Sequence, residues 1–208
     1  MSSNHHHDQP VIFDFGGVLI DWNPLYLYDK IFAGDRQKAQ AFLQEIGFAE
    51  WNIHQDAGRP FSVAVAEHSQ RFPQYADLIR VYDERYPEAI AGPIQGTVDI
   101  LQRLKQAGCS LHGLSNWPGE KWDLVHPQYP FFDWFESIVI SGKVMLAKPD
   151  PRIFDLCLQG VGAPASECLY IDDSLTNLEV AGGLGFQTIH FQSPALLEQE
   201  LLRRGLEF

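Results

Sequence analysis

The chain has 208 residues, 45% of them hydrophobic, enough for a substantial core but short for two full domains, so one domain carrying an insertion is expected. Its formal net charge of -12 argues against nucleic acid or an anionic membrane surface as a partner, and no apolar run approaches the roughly 20 residues that cross a bilayer. Cys109, Cys157 and Cys168 are widely spaced with no CxxC pair, which argues against a disulfide framework or a zinc site and points to a reducing cytoplasm.

Residues 1–9, polar where a signal peptide would be greasy, read as a disordered segment, His5 to His7 included. Val11 to Phe13 then open an all-apolar strand of the kind buried on both faces in a parallel sheet. From Asn23 to about Pro93, patterns such as "RQKAQAFLQEIGFAEW" and "FSVAVAEHSQRF" predict helices without a convincing strand. Beyond them, strands are predicted at Cys109 to Asn116, Ser137 to Gly142, Cys168 to Ser174 and Gln187 to Phe191. Helices are predicted over Thr97 to Gly108, with Val98, Leu101, Leu104 and Ala107 on one face, and from Pro151 to Gly162, opening on proline. Alternating strands and helices imply an α/β fold: a Rossmann-like open parallel sheet flanked by helices. Residues 10–22 and 93–208 would form this core, and 23–92 an inserted α-helical cap.

Ligands of such sheets bind beyond the carboxyl ends of the strands. Asp14 follows the first strand, Ser115 and Asn116 end the second, Lys148 lies a few residues past the third, and Asp172 with Asp173 closes the fourth. Singly, each has an ordinary reading: a strand-end aspartate caps a helix, "KPDP" turns the chain, "SN" is loop chemistry. Together they gather three carboxylates, a hydroxyl and an ammonium at one sheet edge. At an effective dielectric of about 20, each pair of carboxylates about 4 Å apart costs on the order of 4 kcal/mol. A divalent cation removes that cost, and magnesium suits an all-oxygen site shared with a phosphate. This grouping points to phosphoryl transfer, with Asp14 as nucleophile and Lys148 neutralising charge. Ser115, Asn116 and adjacent backbone amides would bind phosphate oxygens, and Asp173, with Asp172 beside it, would hold the metal.

The order "DFGGV" (Asp14 to Val18), "LSN" (Leu114 to Asn116), "SGKVMLAKPDPRIF" (Ser141 to Phe154) and "YIDDSLTNLEVAGGLGF" (Tyr170 to Phe186) resembles the haloacid dehalogenase superfamily, in the branch with a helical cap after the first motif. The resemblance covers nearly the whole chain, and within the superfamily it is to sugar-phosphate phosphatases of the α-glucose-1-phosphate phosphatase kind. It implies Asp14 as nucleophile and magnesium ligand, the Gly16 carbonyl and Asp173 as further ligands, Asp172 as a partner behind them, and Ser115 and Lys148 on the phosphate.

Phosphatases of this superfamily typically carry an acid two residues after the nucleophile, where this chain has Gly16. A positioned proton donor is typically worth about 10² to 10⁴ in rate, so its absence favours leaving groups that depart easily, such as an anomeric hydroxyl or an acyl group. Asp21 or a cap residue could substitute, although Asp21 reads better as the cap of the first inserted helix. The same absence admits a 2-haloacid dehalogenase, because a halide leaves without a proton; the paired carboxylates of "IDD", which would repel an anionic haloacid, weigh against it. A weakly active phosphometabolite-binding protein is a third reading. In "WNIHQDAGR", where His54, Gln55 and Asp56 are polar groups on an otherwise packed helix, Trp51, His54 and Gln55 are the candidates for cap specificity. Trp22, Trp51, Trp117, Trp122 and Trp134 read mainly as packing, with one or two free to stack on a sugar, and Gly58 and Gly92 as hinge points. The expected partner is a small phosphorylated substrate, without nucleic acid or membrane; oligomeric state is left open.

Overall fold

A computed structural model describes residues 9–206 and 208. The segment read above as disordered, with its histidine run, lies outside the described residues except for Gln9. The chain begins with β1 (Val11–Phe13) and β2 (Ile20–Trp22), followed by helices α1 (Pro24–Ile31), α2 (Arg36–Glu45), α3 (Phe48–Asp56), α4 (Phe61–Arg71) and α5 (Ala76–Glu84). Next come β3 (Ile90–Pro93), α6 (Gln95–Gln106), β4 (Leu111–Ser115), α7 (Gly119–Val125), β5 (Ser137–Ile140) and α8 (Ser141–Val144). The chain closes with α9 (Pro151–Val161), β6 (Leu169–Asp172), α10 (Leu175–Gly183), β7 (Gln187–His190) and α11 (Pro194–Arg203).

Five strands form one parallel sheet in the order β5-β4-β1-β6-β7, the expected Rossmann-like architecture. The first strand is central, which is why its residues are apolar on both faces. Val11 and Phe13 pack into one core layer with Leu111 and Ile171, while Ile12 turns to the other with Leu114, Phe154 and Tyr170. Successive side chains alternate across a strand, so a three-residue apolar run feeds both layers, each fully buried side chain contributing about 1.5–3 kcal/mol. The central position also carries Asp14, the next residue, out at the carboxyl edge between the tips of β4 and β6.

The sequence reading of an all-helical stretch up to Pro93 needs one correction. Ile90–Pro93 pairs antiparallel with β2, setting Ile20 opposite Pro93 and Asp21 opposite Gly92. This ribbon joins the start and end of the inserted helices, which pack on one another through Tyr28, Phe42, Phe48, Trp51, Phe61 and Tyr82. Helical periodicity from Arg36 to Trp51 is also broken: Gly47 adopts a left-handed φ of 63° and divides α2 from α3. Nor does Asp21 cap α1. Asn23 does, its side chain accepting from the Leu25 amide, while both Asp21 carboxylate oxygens accept from the Tyr26 hydroxyl.

Two buried polar ties fix the inserted helices to the sheet. Lys121 on α7 pairs with the Asp83 carboxylate, donates to the Asp83 carbonyl at 2.8 Å, and lies 4.4 Å from the Phe61 ring centre. The buried Ser141 hydroxyl accepts from the Trp117 amide at 2.9 Å and donates to the Asp56 carbonyl at 2.5 Å. Removing that hydroxyl leaves a buried amide and carbonyl without partners. Ser141→Ala should therefore lower the unfolding free energy by about 1–3 kcal/mol, read as a shifted urea midpoint at unchanged slope.

Candidate active site

Asp14, Ser115 and Asp172 sit where the apolar strands β1, β4 and β6 end, so the sheet itself sets their spacing. Lys148 reaches them from the loop between α8 and α9. Its buried ammonium lies 3.0 Å from an Asp14 oxygen and 2.7 Å from Asp172 Oδ2, and donates to the Leu114 carbonyl at 3.0 Å. Burial opposes the charge on Lys148, but Asp14 and Asp172 outweigh it and raise its pKa. Asp172 is saturated: besides Lys148 it accepts from the Tyr170 hydroxyl, the Ser174 amide at 2.7 Å and Asn177 Nδ2. It is built as the fixed counter-charge behind the lysine.

Oxygens of Asp14, Asp172 and Asp173 lie within 4.8 Å of one another. Burial pushes Asp14 up to about 7, with Asp172 and Asp173 adding to the rise and Lys148 opposing it. Asp173 is raised too, by burial and by Asp172. Three acids facing one ammonium leave two negative charges in excess when all are ionised. Asp173 keeps its exposure to solvent, so a hard cation at this cluster could hold water as well as carboxylate oxygens. The donor set therefore fits a divalent cation. Gly17 serves the same geometry: its φ of +74° suits glycine, and a Cβ there would overlap the Asp173 carboxylate.

The sequence pattern of the haloacid dehalogenase-like hydrolases matches residues 11–185, most of the chain. This protein belongs to that family. A sesquiterpene phosphatase of Aspergillus oryzae is 23% identical over 185 residues, 86% of this chain and 87% of its own length. Among solved structures, a family enzyme of Bacteroides thetaiotaomicron in complex with magnesium and inorganic phosphate superposes with a TM-score of 0.66 at 22% identity, covering 89% of this chain and 95% of that one. The L-2-haloacid dehalogenase of Xanthobacter autotrophicus superposes with a TM-score of 0.63 at 17% identity, covering 97% and 85%. These two likenesses concern the fold, which phosphoryl and haloacid chemistry share.

The hydrolase thus brings Asp14, Ser115, Lys148, Asp172 and Asp173 to one edge. The Ser115 hydroxyl is fully buried and has no partner among the described residues, as a group waiting for a ligand oxygen would be. The Asn116 side chain holds the lysine loop. Its side-chain oxygen accepts from the Lys148 amide at 2.8 Å and its Nδ2 donates to the Lys148 carbonyl at 2.9 Å.

The three residues expected to confer specificity are placed elsewhere. Trp51 is buried among the inserted helices, stacked on His68 and donating to the Ala64 carbonyl. Gln55 is buried beside it, donating to the Trp51 carbonyl. His54 is exposed and, with Trp51, lines a depression of about 270 Å³ that shares no residue with the strand tips. The residues that do face the edge are Asn52 and Asp56, which line a cavity of about 60 Å³ together with Gly16, Trp22, Tyr86, Asn116 and Trp117. The signal lay in helical spacing: Asn52 and Asp56 stand four and eight residues after the buried Phe48, on one stripe of α3.

A cation must displace protons from acids whose pKa values are raised. In the metal-free protein an ionised Asp14 costs stability, and that cost grows as pH rises from about 4 through about 7. The rise in melting temperature on adding magnesium should accordingly be larger at pH 8 than at pH 5.5, and Asp173→Asn should abolish the difference.

Proposed function

We propose that this hydrolase is a magnesium-dependent phosphatase acting on a small phosphorylated metabolite, through an aspartyl-phosphate on Asp14. The observation that carries this reading is the excess of negative charge around a single buried ammonium. Such a cluster repels a free haloacid carboxylate, whereas a cation bridges it to a phosphate. The phosphatase from Aspergillus supports the same choice. When bound, magnesium would be held by Asp14, Asp173 and the Gly16 carbonyl and would supply charge neutralisation for the phosphoryl oxygens.

Lys148 holds the Asp14 carboxylate by one oxygen and fixes its orientation for attack on phosphorus. The same ammonium faces the charge that develops on the transferred group, and the unpartnered Ser115 hydroxyl is placed to donate to one of its oxygens. Water attack on the resulting acyl phosphate regenerates Asp14. Residues 23–92 act as the cap over this edge, and the leaving group departs toward the cavity that they line. A sugar is the best-supported leaving group: Trp22 and Trp117 line the cavity beside Asn52 and Asp56, and the buried Trp117 indole N–H has no partner among the described residues.

The test is a panel of sugar phosphates, acyl phosphates and 2-haloacids, assayed with and without magnesium. Phosphate release should require magnesium and fall by at least about 10⁴-fold in Asp14→Asn, the scale seen when a nucleophile is removed. Chloride release without magnesium would contradict the reading.

A further inference from the structure

Gly16 stands where an acid would protonate the leaving group, yet nothing there demands glycine. The residue lies outside the left-handed region, and a Cβ added to it meets no atom within 4 Å. Gly16 instead borders the cavity that Asn52 and Asp56 line from the opposite side, on the inserted helices. Asp56 is the last residue of α3, and its backbone is pinned to the sheet domain through the Ser141 hydroxyl. Its carboxylate accepts from Asn52 Nδ2 at 3.2 Å, and Asn52 Oδ1 in turn accepts from the Tyr82 hydroxyl at 3.2 Å. Among the described residues no ion pair engages it, so its carboxyl is held in place without being neutralised.

We propose that Asp56 is the general acid and base of the reaction, supplied across the cavity by the inserted helices in place of the carboxylate absent at Gly16. This rests on the phosphatase reading. Burial keeps Asp56 up at about 7, against the opposing effects of the Asn52 hydrogen bond and the Lys148 charge, so a large protonated fraction persists near neutrality. The other titratable groups facing it are Tyr82 on α5 and Tyr86 just beyond, whose pKa values burial holds well above the usual tyrosine range, so both stay neutral.

In the first step an Asp14 oxygen forms a bond to phosphorus and the bond from phosphorus to the leaving oxygen breaks. Its electron pair goes to that oxygen, which takes the Asp56 proton and departs as an alcohol. In the second step the Asp56 carboxylate takes a proton from water as the water oxygen bonds to phosphorus. The phosphorus bond to Asp14 then breaks, its electron pair returning to the carboxylate, and inorganic phosphate leaves with Asp56 protonated again.

The experiment compares kcat/KM for phosphate monoesters of graded leaving-group pKa, from 4-nitrophenyl phosphate to simple alkyl phosphates, in the magnesium-loaded protein. Wild type should show a shallow dependence. Asp56→Asn should lose about 10² to 10⁴ on alkyl phosphates and less than about tenfold on 4-nitrophenyl phosphate. With the latter ester it should also accumulate phosphorylated Asp14, seen in the intact mass, because water is no longer activated. Gly16→Asp in the Asp56→Asn background should restore the shallow line. Parallel lines for wild type and Asp56→Asn would overturn the assignment while leaving the phosphatase reading intact. No phosphate release by wild type from any ester would overturn the phosphatase reading itself. Should Asp56→Asn fail to fold, Gly16→Asp alone decides: an unchanged slope shows that an acid was already present, and a flattened slope shows that it was missing.

Discussion

One buried ammonium organises the carboxyl edge of the sheet. Lys148 bridges Asp14 and Asp172, and its loop is clamped by the Asn116 amide from the tip of β4. Without it, the nucleophile and the acid behind it would stand in a buried site as unscreened like charges, the costliest arrangement a low-dielectric environment offers. With it, one charge is paired, and the remaining excess is what a bound cation would offset. Asp172, saturated by hydrogen bonds from Tyr170, Ser174 and Asn177, cannot move to relieve the repulsion. A bound cation would be held by Asp14 and Asp173.

In the proposed reaction the two halves of the molecule divide the chemistry. Parallel strands buried on both faces hold Asp14 rigidly, because moving it would disturb both core layers. The leaving group would meet the inserted helices, tied down by Ser141 and Lys121. Gly16 and Gly17 mark the seam and differ in kind. Gly17 is dictated by a left-handed turn and by the Asp173 carboxylate against it, whereas Gly16 is dictated by neither backbone nor packing. The open space at Gly16 is what the proposed approach of the Asp56 carboxylate to a leaving oxygen would use.

The sheet and its tip residues were legible in the sequence because parallel strands need unbroken apolar runs, and their ends stand out as the first polar residues. The ribbon strand β3 was not. "IAGP" contains glycine and proline, alternates only partly, and pairs with a strand far away in the chain, so neither periodicity nor a turn signal announces it. The polar face of α3 was legible only in part. Asn52 and Gln55 interrupt its buried stripe, so the pattern marks His54, Gln55 and Asp56 as polar without telling which of them faces the site. That the Asn116 side chain holds the lysine loop was not legible either, because its two partners on Lys148 lie 32 residues further along the chain.

On the proposed route Asp14 attacks phosphorus and is released by water attacking phosphorus. Turnover in heavy-oxygen water, followed by mass spectrometry of the peptide bearing Asp14 and of the product, tests this directly. Heavy oxygen is expected in the released phosphate and none in Asp14. Heavy oxygen entering the Asp14 carboxylate would mean that water attacks the carbonyl carbon of an ester intermediate, as haloacid chemistry requires, and would contradict it.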